Sequence, residues 1–182
     1  MKTRALVFTA LFAALTAVGA FLKVPIGPVP ITLQFLFTAM AGILLGRRWG
    51  ALSQLVYVAL GLVGLPIFTM GGGPAYVLQP SFGFLLGLIP CAWIIGFLCR
   101  KRSGAPWIAL SCLAGLAVLY LIGIPYMALI LNVYLGKGLD TAAILKIGML
   151  PFLPGDALKI AVASLVCPTL QKRLCNFDEF RV

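Results

Sequence analysis

Asp156 and Lys159 stand three residues apart in the stretch Pro151-Phe152-Leu153-Pro154-Gly155-Asp156-Ala157-Leu158-Lys159, and nearly everything around them is apolar. An acid and a base at that spacing share one face of a helix. Pro154 and Gly155 suit a helix start, and Asp156 suits its N-cap or first turn. The apolar run continues through Ile160, Ala161, Val162, Ala163, Leu165 and Val166 and ends at Lys172 and Arg173. At ~1.5 Å per residue, Asp156 lies about 24 Å along the axis from Lys172. A bilayer core is roughly 30 Å thick. Both charges are therefore expected inside a membrane, where each costs ~2.5–3.5 kcal/mol at a helix centre and less toward its ends. Two readings answer that cost. One is a structural ion pair that neutralises itself and locks two helices. The other is a ligand site, which is the default meaning of intramembrane ionisable residues.

Composition sets the class of protein that must position this pair. The chain has 182 residues, 62% of them apolar and 10% charged. That balance belongs to an integral membrane protein, and the length suits a bundle of about six transmembrane helices joined by short loops. The expectation is one all-α integral membrane domain over residues 1–182. The net charge of +10 would suggest a nucleic-acid partner in a soluble protein, but here the basic residues sit in short clusters between apolar runs. They read as topology signals, and no nucleic acid is expected. Five scattered cysteines and no histidine argue against zinc or haem, and the thiols read as buried and free. With four acidic residues, two of them (Asp178 and Glu179) in the tail, an enzyme has few catalytic groups to draw on.

The chain then divides into spans and connections. Lys2, Arg4 and the apolar run ending Ala17-Val18-Gly19-Ala20 imitate a signal peptide but are expected to form an uncleaved first span, about residues 5–22. Ala10 and Ala14, and likewise Ala13 and Ala17, lie four apart, a spacing that lets another helix approach closely in lipid. The partner helix lies either within the bundle or outside it. Lys23-Val24-Pro25-Ile26-Gly27-Pro28-Val29-Pro30 cannot continue a helix and suits a stiff surface connection or a lid. The second span covers about 31–46, with Thr32 and Gln34 in its first turn, where they either satisfy backbone groups or face a cavity. The third covers about 50–67, with a polar face of Ser53, Gln54 and Tyr57 and breakers at Gly61, Gly64 and Pro66.

Met70-Gly71-Gly72-Gly73-Pro74-Ala75-Tyr76-Val77-Leu78-Gln79-Pro80-Ser81 follows, a loop whose glycines permit positive φ and close approach. Neither this loop nor Gly136-Lys137-Gly138 carries a Walker A pattern, so no ATPase is expected in the chain. A fourth span covers about 82–99, with Gly83 and Gly87 as a packing pair and a possible kink at Pro90. The fifth covers about 107–131, interrupted at Gly123 and Pro125. Residues 132–150 are mixed and suit the interface, and the last span carries Asp156 and Lys159.

With six spans, Lys2, Arg4, Arg47, Arg48, Arg100, Lys101, Arg102, Lys172, Arg173 and Arg181 fall on one side and Lys23, Lys137 and Lys146 on the other. Ten against three places both termini in the cytoplasm. The Pro-rich segment, the Gly-rich loop and the Asp156 end then converge on the outer side, where a solute arrives. An apolar cavity with a few polar groups and a cover makes a binding site for a small amphipathic molecule.

Three stretches also carry a resemblance. They are Pro28-Val29-Pro30-Ile31-Thr32-Leu33-Gln34, then Gly72-Gly73-Pro74-Ala75-Tyr76 leading into Pro80-Ser81-Phe82-Gly83-Phe84, and Pro154-Gly155-Asp156-Ala157-Leu158-Lys159. In order, and spread over nearly the whole chain, they resemble the BioY family, the biotin-binding S components of energy-coupling factor (ECF) transporters. The alanine-rich first span resembles that family's contact helix. The resemblance implies high-affinity biotin binding and uptake at a prokaryotic-type, multi-pass cell membrane, with no cofactor and with biotin as the transported ligand. It implies a transmembrane coupling subunit and two ATPase subunits as partners, with Ala10, Ala13, Ala14 and Ala17 as the docking face. It also implies that Asp156 and Lys159 hold polar groups of biotin, with Thr32, Gln34, Gly73 and Tyr76 around them. The alternatives are an S component for another small vitamin and a small membrane-embedded enzyme.

Overall fold

Long apolar runs with few charges dictate helices, because a helix satisfies its own backbone where no water can. The computed structural model describes residues 2–25, 28–100 and 104–174. Within them lie α1 (Lys2–Phe21), α2 (Gln34–Val63), α3 (Phe82–Leu98), α4 (Ala105–Leu129), α5 (Thr141–Gly148) and α6 (Leu153–Leu174). Thr3–Phe21, Ala105–Tyr134 and Leu153–Lys172 are long and apolar enough to cross a membrane, and Phe82–Leu98 is a shorter apolar helix. Large apolar side chains such as Leu121, Leu158 and Leu165 point outward, a surface that lipid and not water would accept. Ile26, Gly27, Lys101 and Arg102 lie outside the described residues, as does the tail that carries Cys175, Asp178, Glu179 and Arg181.

The expected second and third spans are the two arms of α2. Gly46, at φ 75° and ψ 179°, breaks the helix between them in a conformation open to glycine and strained for other residues. Contacts across the break pair Gly42 with Gly50, Thr38 with Gln54 and Gln34 with Tyr57, so the arms run antiparallel. Gln171 of α6 donates to the Ile43 carbonyl at 3.1 Å, satisfying an acceptor in the last turn of the first arm and fastening α6 to the turn. From this hairpin the packing spreads outward. The two arms contact α1, α3 and α6, α3 contacts α4, and α4 contacts α6. Gly83 and Gly87 let α4 approach α3, against Tyr126 and Leu119 respectively.

Several boundaries differ from the sequence reading. Ile31–Thr32 forms β2, paired antiparallel with β1 (Lys23–Val24) in the register Lys23↔Thr32, so Thr32 precedes the helix and Gln34 opens it. The third span ends at Val63, because Gly64 at φ 121° turns the chain away four residues early. Gly123 and Pro125 do not interrupt α4. Gly123 is a close-packing position against the Phe84 ring, and the helix runs through Pro125 to Leu129 before a π-type turn at Ile130–Tyr134. Pro90 likewise sits inside an unbroken α3. The mixed segment contains α5, capped by the Asp140 carboxylate on the Ala143 N–H at 3.0 Å.

The small-residue stripe of α1 is divided. Ala13 is buried in the main core and Ala17 packs against it, so these two belong to the bundle interior. Ala10 and Ala14 face outward. The reason is helical geometry: 13 and 17 lie about 100° around the axis from 14 and 18, and one stripe cannot serve both sides. Of the four alanines expected to form a docking face, Ala10 and Ala14 are therefore exposed and Ala13 is not.

Candidate functional site

Asp156 lies in the first turn of α6, where its backbone N–H bonds the Phe152 carbonyl at 2.8 Å. One turn on, Lys159 Nζ donates to Asp156 Oδ1 at 2.8 Å. Both residues are buried, at 4% and 6% exposed. The pair lies within one helix, so it does not lock two helices together. The cross-helix bond comes instead from α4, whose Tyr120 hydroxyl donates to Asp156 Oδ2 at 2.6 Å. Each carboxylate oxygen thus has a donor. An ammonium group has three protons, and among the described residues Asp156 takes one of them. The others are available to a ligand.

Two further polar groups face the same space. The β1–β2 hairpin ends at Thr32, whose hydroxyl donates to Gln34 Oε1 at 3.0 Å. Gln34 Nε2 donates to the Tyr57 hydroxyl at 2.9 Å. From the Gly-rich loop, Tyr76 Oη lies 2.8 Å from Thr69 Oγ1 and 3.2 Å from Ser81 Oγ. Lys23 reaches over from β1 to the Thr69 carbonyl, tying the Pro-rich segment to the Gly-rich loop.

Between these groups lies a cavity with about 570 Å³ of empty space, part of it continuous with the outside. Its polar lining includes Thr32, Gln34, Tyr76, Ser81, Asp156 and Lys159. Its apolar wall includes Phe84, stacked on Phe152 with centroids 6.4 Å apart and edge-on to Tyr120 at 6.3 Å. Val29 and Pro30 contribute from the Pro-rich segment, and Val29 is itself buried beside Met127, Leu131 and Ile144. A chamber with apolar walls, one ion pair, one hydroxyl–amide group and one cluster of hydroxyls suits a small amphipathic molecule with its own donors and acceptors.

Five of the six residues expected to bind ligand meet here: Thr32, Gln34, Tyr76, Asp156 and Lys159. Gly73 does not reach the cavity wall. Its φ of 103° and its N–H bond to the Gly61 carbonyl at 2.7 Å shape the turn that delivers Tyr76. Gln79, a donor and acceptor by type, does not line the cavity either. Tyr120 and Thr69 escaped the sequence reading. A tyrosine hydroxyl in the middle of a long apolar span needs a buried partner, and that was the available signal for Tyr120. Thr69 carried none.

Comparison with known proteins gives a consistent result. The family model described as "BioY family" matches residues 1–176. A probable biotin transporter BioY of Lysinibacillus sphaericus is 42% identical over 173 residues, covering 94% of this chain and 88% of its own. The biotin transporter BioY of Thermotoga maritima is 36% identical over 170 residues, covering 93% and 96%. Among solved structures, the S-component for biotin from an ECF-type ABC transporter superposes with a TM-score of 0.71 at 32% identity, covering 94% of this chain and 92% of its own.

Proposed function

The chain belongs to the BioY family, and from that premise we propose that it binds biotin from outside the cell and delivers it inward as the S component of an ECF transporter. The observation that carries this reading is the cavity that Asp156 and Lys159 line, with donors unspent, beneath the Pro-rich segment. Biotin offers a ureido group, a carboxylate and an apolar body, the combination such a chamber takes. It is a transport component, not an enzyme.

The finer reading is a six-span bundle: α1, the two antiparallel arms of α2, α3, α4 with its π-type turn, and α6. The ten-to-three division of basic residues supports cytoplasmic termini and an outward-facing site. A transmembrane coupling subunit and two ATPases supply the energy, since this chain has no phosphate-binding motif. Thr32, Gln34, Tyr76, Asp156 and Lys159 contact the ligand, and the outward pair Ala10 and Ala14 offers the coupling subunit a close approach.

Titration calorimetry of the purified protein in detergent, against biotin and a panel of other vitamins, tests the reading. Saturable one-to-one binding of biotin, with the ligand recovered unchanged by mass spectrometry, is the expected result. Heat from a different vitamin and none from biotin would move the assignment to another S component.

A further inference from the structure

Tyr57 is fully buried and is not among the residues that line the cavity, yet it is bonded to one that is. Its hydroxyl donates to the Ile67 carbonyl at 3.1 Å and accepts from Gln34 Nε2 at 2.9 Å. A hydroxyl has a single proton, and a carbonyl can only accept. Once Ile67 takes that proton, the Tyr57 oxygen can show Gln34 only a lone pair. The amide must therefore turn its NH₂ toward Tyr57 and its oxygen toward Thr32, whose hydroxyl donates to it at 3.0 Å. Thr32 Oγ1 in turn accepts the Gln34 backbone N–H at 3.4 Å, which leaves the hydroxyl proton free for the amide oxygen. With the amide turned over, Tyr57 would have to give its proton to Gln34, and the Ile67 carbonyl would lose its partner.

We propose that Tyr57 is a positioning residue that sets the polarity of the site, by holding Gln34 so that its amide oxygen is the atom presented beside Thr32. Gln34 then reads a hydrogen-bond donor on the ligand, such as a ureido N–H, and selects against an acceptor at that point. This inference rests on the proposed binding site and assigns its specificity to a residue outside it. The ring of Tyr57 has a separate duty. It meets Phe68 edge-on with centroids 5.5 Å apart, and Phe68 lies 4.6 Å from the Tyr76 ring. Tyr57→Phe keeps that packing and removes only the oxygen.

Two measurements test the idea. In the ligand-free protein, NMR of ¹⁵N-glutamine side chains should show Gln34 (assigned by its loss in Gln34→Ala) with a dispersed, ordered amide pair that moves toward solvent-like shifts in Tyr57→Phe. An unmoved Gln34 signal in Tyr57→Phe overturns the proposal whether or not biotin is the ligand. In calorimetry, wild-type binding reports on the biotin assignment, and the variants report on Tyr57. Tyr57→Phe should weaken biotin about tenfold and have no further effect in a Gln34→Ala background. A merely structural hydroxyl would weaken binding in both backgrounds, and that result, or an undiminished affinity in Tyr57→Phe alone, refutes the assignment.

Discussion

Two buried polar networks sit about one helical turn apart along the arms of α2, and only one of them opens onto the cavity. In the deeper one, Gln54 Oε1 accepts from Thr38 at 2.9 Å, and Gln54 Nε2 donates to Ser53 at 3.0 Å and to Thr16 at 3.3 Å. Ser53 spends its own proton on the Gly50 carbonyl at 2.7 Å and Thr16 on the Phe12 carbonyl at 2.8 Å. The network closes on itself, and none of its members lines the cavity. The outer groups differ in one respect. Lys159 has protons to spare, and Gln34, Tyr76 and Asp156 all line open space. Burial and polarity are common to both networks. A site requires unspent hydrogen-bonding capacity facing a cavity.

The largest effect that would break this contrast is at the ion pair. Lys159→Ala leaves Asp156 without its cationic partner in low dielectric, and the loss of biotin affinity should exceed that of Asp156→Asn. Asp156→Asn removes a charge-assisted contact and should cost on the order of 1.5–3 kcal/mol, roughly ten- to a hundred-fold. Calorimetry on folded variants reads both, and unchanged affinity in the pair would reduce it to a structural feature like the Gln54 network.

The deeper network should respond in the opposite way. Gln54→Leu leaves the buried Thr38 hydroxyl proton without its acceptor and removes the donor to Ser53 and Thr16, and should lower stability by about 1–3 kcal/mol, read as a fall in melting temperature in detergent. Biotin affinity at low temperature should stay within about twofold. A large affinity loss without destabilisation would mean that the two networks act as one site.

The smallest effect on the isolated protein is expected on the outer face of α1. Ala14→Trp adds bulk where the side chain meets no interior neighbour, so melting temperature and biotin binding should not change. Co-purification with the coupling subunit should fail, because in lipid close backbone approach drives helix association. Ala13→Trp is the control: it overpacks the core and should cost about 1–3 kcal/mol of stability. If the Ala14 variant still assembles with the coupling subunit, the docking face lies elsewhere.

The helical class and the placing of charges within apolar runs were legible from residue types and spacing alone, and the resemblance pointed to five residues that line the cavity, Thr32, Gln34, Tyr76, Asp156 and Lys159. Spacing is a local quantity: Asp156 and Lys159 at i and i+3 must share a helix face, and three prolines in Pro25 to Pro30 must break one. What the residues three or four apart on α1 face is not local. Ala13 and Ala14 look alike in the sequence, and only the packing of α1 on its neighbours buries one and exposes the other. Gln54 and Gln34 are likewise the same residue type in similar apolar surroundings. Partners at Thr16, Thr38 and Ser53 close the valences of Gln54, whereas Gln34, bonded to Tyr57 and Thr32, lines a cavity. Tyr120, 36 residues before Asp156, belongs to the site by one hydrogen bond between α4 and α6. The sequence by itself determined which groups would be costly to bury. The tertiary structure decided which of them remained unsatisfied, because hydrogen-bond partners come from other helices whose rotation and depth no single stretch of chain encodes.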